Sequence, residues 1–115
     1  MKNLNFTTTE GVEFEMKFRK PDRRTYEGCD GVCHYPKWNW QKGKIDINPY
    51  RGDQCIFNTI IHETAHAYFP SATEREVTSF ANTLSRILYN ELKFRGHITP
   101  ALSNNVKYKR NKRNK

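Results

Sequence analysis

The residues most able to do chemistry are the five at positions 62–66, which read His-Glu-Thr-Ala-His. On an α-helix, residues four apart share one face, so His62 and His66 can hold one Zn²⁺ ion together. Glu63 points to the side of that face, where it can act as a general base toward a water molecule on the metal. The spacing therefore predicts a zinc site and a hydrolytic reaction on one helix.

The residues around this motif suit a buried helix. Thr59-Ile60-Ile61 precede it and Ala67-Tyr68 follow it, and neither run contains a charge or a helix breaker. The alternative is that both histidines are ordinary half-buried side chains beside an exposed glutamate, an outcome that any short motif match can have. The flanking residues favour the zinc site.

Two helices are predicted around the motif. Apolar residues at helical spacing indicate a first helix from about residue 53 or 54 to residue 69, with Asp53 as N-cap. Pro70 prevents this helix from continuing. A second helix is predicted from about residue 73 or 74 to about residue 94, ended by Gly96. Because the turn between them is short, we expect the two helices to be antiparallel neighbours.

A catalytic zinc usually has three protein ligands and one open position, so a third ligand must come from outside the motif. Glu74 and Glu76 open the second helix, next to the last turn of the first. The apolar stripe of the second helix centres near Leu84, and each glutamate lies about 80° from it. Both fit a capping box, Ser71 with Glu74 or Thr73 with Glu76. These patterns leave both glutamates as candidates.

The N-terminal half has the alternation that is typical of strands. Two alternating runs within residues 4–18 are separated by Glu10-Gly11, which suits a hairpin turn. Residues 33–40 are rich in aromatics, but Pro36 demotes them to the edge of a sheet. Residues 44–48 alternate again. The prediction is an α+β domain, in which a small, mostly antiparallel sheet packs on the motif helix and on a second, antiparallel helix.

The motif and its surroundings resemble a known superfamily. Residues 60–68 are similar to the active-site helix of the zincin metallopeptidases. Residues 44–90 resemble the small SprT-like and phage-type metallopeptidases, with a strand, the motif helix, a short turn and an acid that opens a second helix. The resemblance implies a minimal zincin-like fold in which His62 and His66 bind zinc and Glu63 is the general base.

The resemblance also distinguishes the two glutamates. In the related gluzincins, the ligand precedes a Phe-Ala pair by the distance that separates Glu74 from Phe80-Ala81, which implies Glu74 as third ligand and Glu76 as the alternative. SprT-like proteins often use a third histidine, so an acid here departs from them. The implied function is zinc-dependent hydrolysis of peptide bonds in a protein or peptide substrate. The candidates for an oxyanion donor are Tyr50, Arg51 and His97.

The totals indicate one domain with a basic tail. The chain has 115 residues, of which 36% are hydrophobic, and a net charge of +8. Residues 107–115 contain six of the 20 Lys and Arg and no acid, so the rest of the chain has a net charge of +2. We expect a single domain over residues 1–100 and a disordered tail over residues 101–115. The tail residues that could contact the phosphates of a nucleic acid are Lys107, Lys109, Arg110, Lys112, Arg113 and Lys115.

Two other functions compete with peptide hydrolysis. One is nucleic-acid binding with a structural zinc site, and the other is an inactive zincin that serves as an interaction module. The tail also has a simpler interpretation, as a solvated segment that aids solubility. Cys29, Cys33 and Cys55 are too few, and odd in number, for a secreted disulfide scaffold, and we expect loop and core cysteines rather than a second metal site. With no membrane-length apolar run, a cytoplasmic protein is expected.

Overall fold

A computed structural model of the chain describes residues 3–20, 30–37 and 41–94. The α+β class is confirmed, because strands and helices occupy separate parts of the chain. No helix among these residues is long and apolar enough to cross a membrane. The elements are β1 (Leu4–Thr7), β2 (Glu13–Phe18), β3 (Gly31–His34), β4 (Gly43–Ile47), α1 (Asp53–Tyr68) and α2 (Glu74–Ser85), followed by a π-helical segment (Arg86–Glu91).

The four strands form one sheet in the order β1-β2-β4-β3. The predicted hairpin is confirmed, since β1 pairs antiparallel with β2 and Gly11 turns the chain at a φ of 85°. β3 pairs antiparallel with β4, but the central pair, β2 with β4, is parallel. Two of the three pairings are antiparallel, as a mostly antiparallel sheet requires, and the parallel central pair makes the sheet as a whole a mixed one. Alternation predicts which face of a strand is buried, but it carries no information on strand direction.

The core lies between one face of the sheet and α1. Its central strands contribute buried apolar side chains at alternate positions, as period-two alternation requires. α1 contributes residues from the side that faces the sheet, and another side of it packs on α2. The motif helix is thus held between two layers. The buried core residues are Phe14, Met16, Ile45, Ile47, Ile56 and Ala67.

The boundaries of α1 differ slightly from the prediction. Gly52 occupies the N-cap position with an extended φ of −68° and ψ of 161°, and Asp53 is the first helical residue. Asp53 is therefore not the N-cap, although its charge still suits the positive end of the helix dipole. The helix ends at Tyr68, just before Pro70, as the missing N–H of proline predicts.

The start of α2 decides between the two predicted capping boxes. The Thr73 hydroxyl accepts the Glu76 N–H at 3.1 Å, and the Glu76 carboxylate accepts the Thr73 N–H at 2.8 Å. The box therefore joins Thr73 to Glu76, and the pairing of Ser71 with Glu74 is wrong. Since its carboxylate is engaged in the cap, Glu76 is held at the helix start, whereas the carboxylate of Glu74 lies outside the box.

Two other expectations for the second helix need correction. The α-helix ends at Ser85, and the π-helical segment after it stops at Glu91, before Lys93 with a φ of 58°. The helical segment therefore ends before the predicted residue 94. The predicted stop, Gly96, lies outside the described residues. The buried residues are Val77, Ala81 and Ser85, so the buried face is not centred near Leu84.

Replacing Gly43 by alanine is expected to destabilise the fold. A Cβ at this position would overlap the ring of Phe14, which is 1% exposed at the centre of the core. Because the obstacle is a packed ring and not a flexible chain end, we expect a loss of about 1–3 kcal/mol in urea unfolding.

Gly52→Ala is the matched control, because a Cβ there meets no atom within 4 Å. We expect it to change stability by less than about 1 kcal/mol. Equal losses in the two variants would show that the Phe14 ring does not limit the space at Gly43.

Candidate metal centre

His62 and His66 lie on one face of α1, as their spacing predicts. Their Nε2 atoms are 3.2 Å apart and their ring centroids are 4.8 Å apart. Both side chains are largely buried, with 18% and 22% of their surface exposed. The two imidazoles therefore present one nitrogen each to the same point in space.

Glu74 is the glutamate that reaches the histidines. Its Oε2 lies 2.9 Å from the Nε2 of His62, and its Oε1 lies 2.9 Å from the Nε2 of His66. The hydroxyl of Thr78, one turn further along α2, donates to Oε2 at 3.4 Å. Of the two predicted candidates, Glu74 stands at the site, and Glu76 belongs to the helix cap.

These three side chains have the dimensions of a zinc-binding triad. Their ligand atoms all lie within 4.8 Å of one another. Two nitrogens bound to one tetrahedral Zn²⁺ at 2.0–2.1 Å are about 3.3 Å apart, close to the 3.2 Å between these imidazoles. Two imidazoles and a carboxylate are also a common ligand set for catalytic zinc. The residues present therefore fit the ion.

Burial favours a neutral His62, and the two histidines favour an ionised Glu74. Burial lowers the pKa of His62, which Glu74 opposes and His66 reinforces. Burial works to raise the pKa of Glu74, but the two histidines outweigh it and hold that pKa below its ordinary value. Neutral imidazole and carboxylate are the forms that bind metal, so less proton release is needed on binding.

Glu63 lies beside the triad in a distinct environment. It is 7% exposed, and burial, with a contribution from the charge of Glu74, raises its pKa from 4.5 to about 7. A cation held by the triad would act in the opposite direction and lower this pKa. In the metal-free chain, Glu63 therefore titrates near neutral pH, in the range of a group that can transfer protons.

A cleft of about 240 Å³ opens onto these residues. β3 approaches α1 closely along it, since a Cβ on Gly31 would lie 2.6 Å from Cγ2 of Thr59 and 3.2 Å from Cγ of Glu63. Glycine is required at this position because any side chain would push the strand and the helix apart. The cleft is lined by Asp30, Gly31, Asn58, Thr59, His62, Glu63 and Glu74.

Of the other predicted candidates, only Tyr50 and Arg51 belong to the described residues. Arg51 forms an ion pair with Asp30 at 2.7 Å, at the wall of the cleft. Tyr50 is half exposed in the segment before α1. The residues considered in the sequence for metal, oxyanion or phosphate binding that lie outside the described residues are Cys29, His97, Lys107, Lys109, Arg110, Lys112, Arg113 and Lys115. Phosphate binding by the tail stays a prediction.

The two described cysteines behave as structural residues. Burial, with a contribution from Glu63, raises the pKa of Cys33 to about 12, so its thiol stays protonated. Cys55 is half-buried, and its thiol donates to Asp30 at 3.4 Å. Burial also raises the pKa of Cys55, and the hydrogen bond to Asp30 adds to that shift. Neither thiol belongs to the metal-ligand cluster found among the described residues.

One residue that contacts the metal centre, Tyr35, was not identified from the sequence. The hydroxyl of Tyr35, directly after β3, donates to the backbone carbonyl of His66. A signal was present: the helical partner of that carbonyl would be the N–H of residue 70, which is a proline without one. The carbonyl therefore needs another donor, but the sequence does not say which side chain supplies it.

No protein family, curated protein or solved structure matches this chain. The resemblance to zincins therefore stays a prediction from the motif and its surroundings. The geometry of His62, His66, Glu63 and Glu74 stands independently of that resemblance.

The buried carboxyl of Glu63 is expected to make the stability of the zinc-free protein fall with rising pH. Its pKa is 4.5 ordinarily and about 7 in the folded chain, so the folded state binds this proton more tightly. The stabilisation is complete below about pH 4.5 and is lost as the pH rises through about 7. Between pH 5 and pH 8, wild type should lose about 2–3 kcal/mol more than Glu63→Gln, measured by urea unfolding after chelation.

Gln has the size of Glu and no titration, so the difference between the two proteins isolates this carboxyl. Parallel pH profiles would mean that Glu63 is ionised and well solvated in the folded chain, contrary to its burial.

Proposed function

We propose that this protein is a zinc-dependent hydrolase of peptide bonds. The observation that carries the proposal is the convergence of His62, His66 and Glu74 within 4.8 Å, beside a buried Glu63 whose pKa lies near neutrality. A structural zinc site is usually closed by four protein ligands. The cluster found among the described residues has three, which favours a catalytic over a structural role.

Each residue has a separate task in this reaction. His62, His66 and Glu74 would hold the ion. When bound, zinc supplies a Lewis acid that polarises the scissile carbonyl and lowers the pKa of water. Glu63 accepts a proton from the attacking water and passes it to the leaving amine. Burial raises the pKa of Glu63 to about 7 in the metal-free chain, and a bound cation would lower it and so favour the ionised form that accepts a proton.

The placement of β3 suggests how a substrate would be held. β3 is an edge strand of the described sheet and lies against α1 at Gly31. An extended peptide could pair with that edge and pass over Glu63 and the triad. The sheet edge beside α1, and the packing of α2 on α1, support the zincin-like packing that the sequence motif predicts, and we include that packing in the proposal.

Glu74→Gln is expected to weaken zinc binding by about 100-fold or more, since losing a second-shell partner alone costs 10–100-fold. Zinc affinity is measured on the full chain by competition with a chromophoric chelator. Glu76→Gln makes the same change of charge two residues away, and glutamine still completes the capping box with Thr73. We expect this control to bind zinc as wild type does. Equal affinities in the two variants would remove Glu74 from the ligand set.

Glu63→Gln is expected to keep one zinc per chain and to lower hydrolysis by about 100-fold or more, because glutamine cannot accept the proton. Zinc content is measured by elemental analysis, and hydrolysis by the appearance of new amino groups in denatured casein. Thr64→Ser is a suitable control, since it changes the neighbouring motif position without removing a carboxylate.

Two results would count against the function. A wild-type chain that takes up no stoichiometric zinc would exclude the metal centre itself. A Glu63→Gln variant as active as wild type would show that the observed hydrolysis does not use this site.

A further inference from the structure

The last turn of α1 contains a carbonyl that the helix itself cannot satisfy. Phe69 donates its N–H to the carbonyl of Ala65 at 2.8 Å. The next carbonyl, that of His66, would normally receive the N–H of residue 70, and Pro70 has none. The carbonyl of His66 therefore lacks the helical hydrogen bond that would otherwise hold it.

Tyr35, directly after β3, supplies the missing donor. Its hydroxyl donates to the carbonyl of His66 across 31 residues of sequence. Its ring meets Phe14 edge to face, with centroids 5.9 Å apart and planes at 79°. Phe14 is 1% exposed at the centre of the core, so it provides a fixed support for the Tyr35 ring. The hydrogen bond therefore links His66 to the rigid part of the sheet.

This hydrogen bond holds the backbone of a residue whose imidazole is part of the His62, His66 and Glu74 cluster. Its Nε2 must keep its place relative to both His62, 3.2 Å away, and Glu74, 2.9 Å away. Groups that orient a metal ligand are commonly worth as much as a tenfold to 100-fold change in affinity. A ligand in the last turn of a helix is also more prone to fraying than one in the middle.

We propose that Tyr35 is a positioning residue for the metal ligand His66. By replacing the N–H that Pro70 lacks, it fixes the backbone of the final turn and thereby the direction of the imidazole. The proposal rests on the proposed function in one respect, namely that His66 binds zinc. Tyr35 acts through the carbonyl of His66 and does not belong to the ligand set.

The contribution of this hydroxyl to global stability should be small. Tyr35 is 42% exposed, and a neutral hydrogen bond contributes about 1 kcal/mol net. Its removal by Tyr35→Phe keeps the ring and its contact with Phe14. A large effect on zinc with a small effect on unfolding is therefore the signature of positioning, and it differs from what loss of packing would give.

Tyr68 offers a matched control on the same helix. Its hydroxyl donates to the backbone carbonyl of Thr7 at 3.3 Å, so Tyr68→Phe also removes one bond between a tyrosine and a carbonyl. It lies two residues from His66, but the carbonyl it engages belongs to β1 and not to a ligand. The two variants thus differ mainly in which carbonyl loses its donor.

The test uses the full chain, stripped of metal and titrated with Zn²⁺ against a chromophoric chelator. Tyr35→Phe should raise the Kd for zinc by about tenfold or more, and Tyr68→Phe should change it by less than about twofold. In the Co²⁺-substituted proteins, the visible absorption bands should shift or weaken only in Tyr35→Phe, because they report ligand geometry. The melting temperatures of the two zinc-free variants should fall by similar amounts.

Each other result decides against the proposal. Wild-type zinc affinity and cobalt spectrum in Tyr35→Phe would show that the hydroxyl does not orient His66, while the proposed zinc site would stand. Equal weakening in both variants, or a much larger melting loss in zinc-free Tyr35→Phe, would assign the hydroxyl to general folding. A wild-type chain that binds no zinc would overturn the proposed function and this inference together.

Discussion

The contact of one carboxylate with two imidazoles is the interaction around which the rest of this structure is arranged. Glu74 faces His62 and His66 at 2.9 Å each, so α1 and α2 must meet where the first ends and the second begins. Pro70 stops α1 directly after the histidines. The capping box then starts α2 with Glu74 as its first residue. A shift of one residue at either end would turn the carboxylate away from the histidines, since each helical step rotates a side chain by about 100°.

The position of Glu74 could have been found in the sequence by weighing small residues more heavily. The bulky Phe80 and Ile87 drew the predicted stripe toward Leu84, yet they are 50% and 37% exposed. The face that packs on α1 instead consists of Val77, Ala81 and Ser85, spaced four apart. At 100° per residue, Glu74 lies about 20° from the centre of that face and Glu76 about 140° from it.

Local sequence patterns predicted the features that depend only on residues close together in the chain. The spacing of His62 and His66, the stop at Pro70 and the hairpin around Gly11 each follow from a few adjacent positions. Long-range pairing was beyond the same reasoning. The parallel contact of β2 with β4 joins residues separated by a further strand, and the bond from Tyr35 to His66 spans 31 residues. Such contacts depend on how the layers pack, which period and propensity do not encode.

β3 and the residue after it contact α1 at two places in the candidate metal centre. Its first residue, Gly31, lies against the helix beside Glu63, and Tyr35, directly after its last residue, holds the carbonyl of His66. The strand thus touches the proposed base at one end and a proposed ligand at the other. Because β3 is an edge strand of the described sheet and pairs there with β4, it is less firmly held than the central strands. Any peptide that pairs with β3 would restrain it further, and the restraint would pass through Gly31 to the proposed base and through Tyr35 to the proposed ligand.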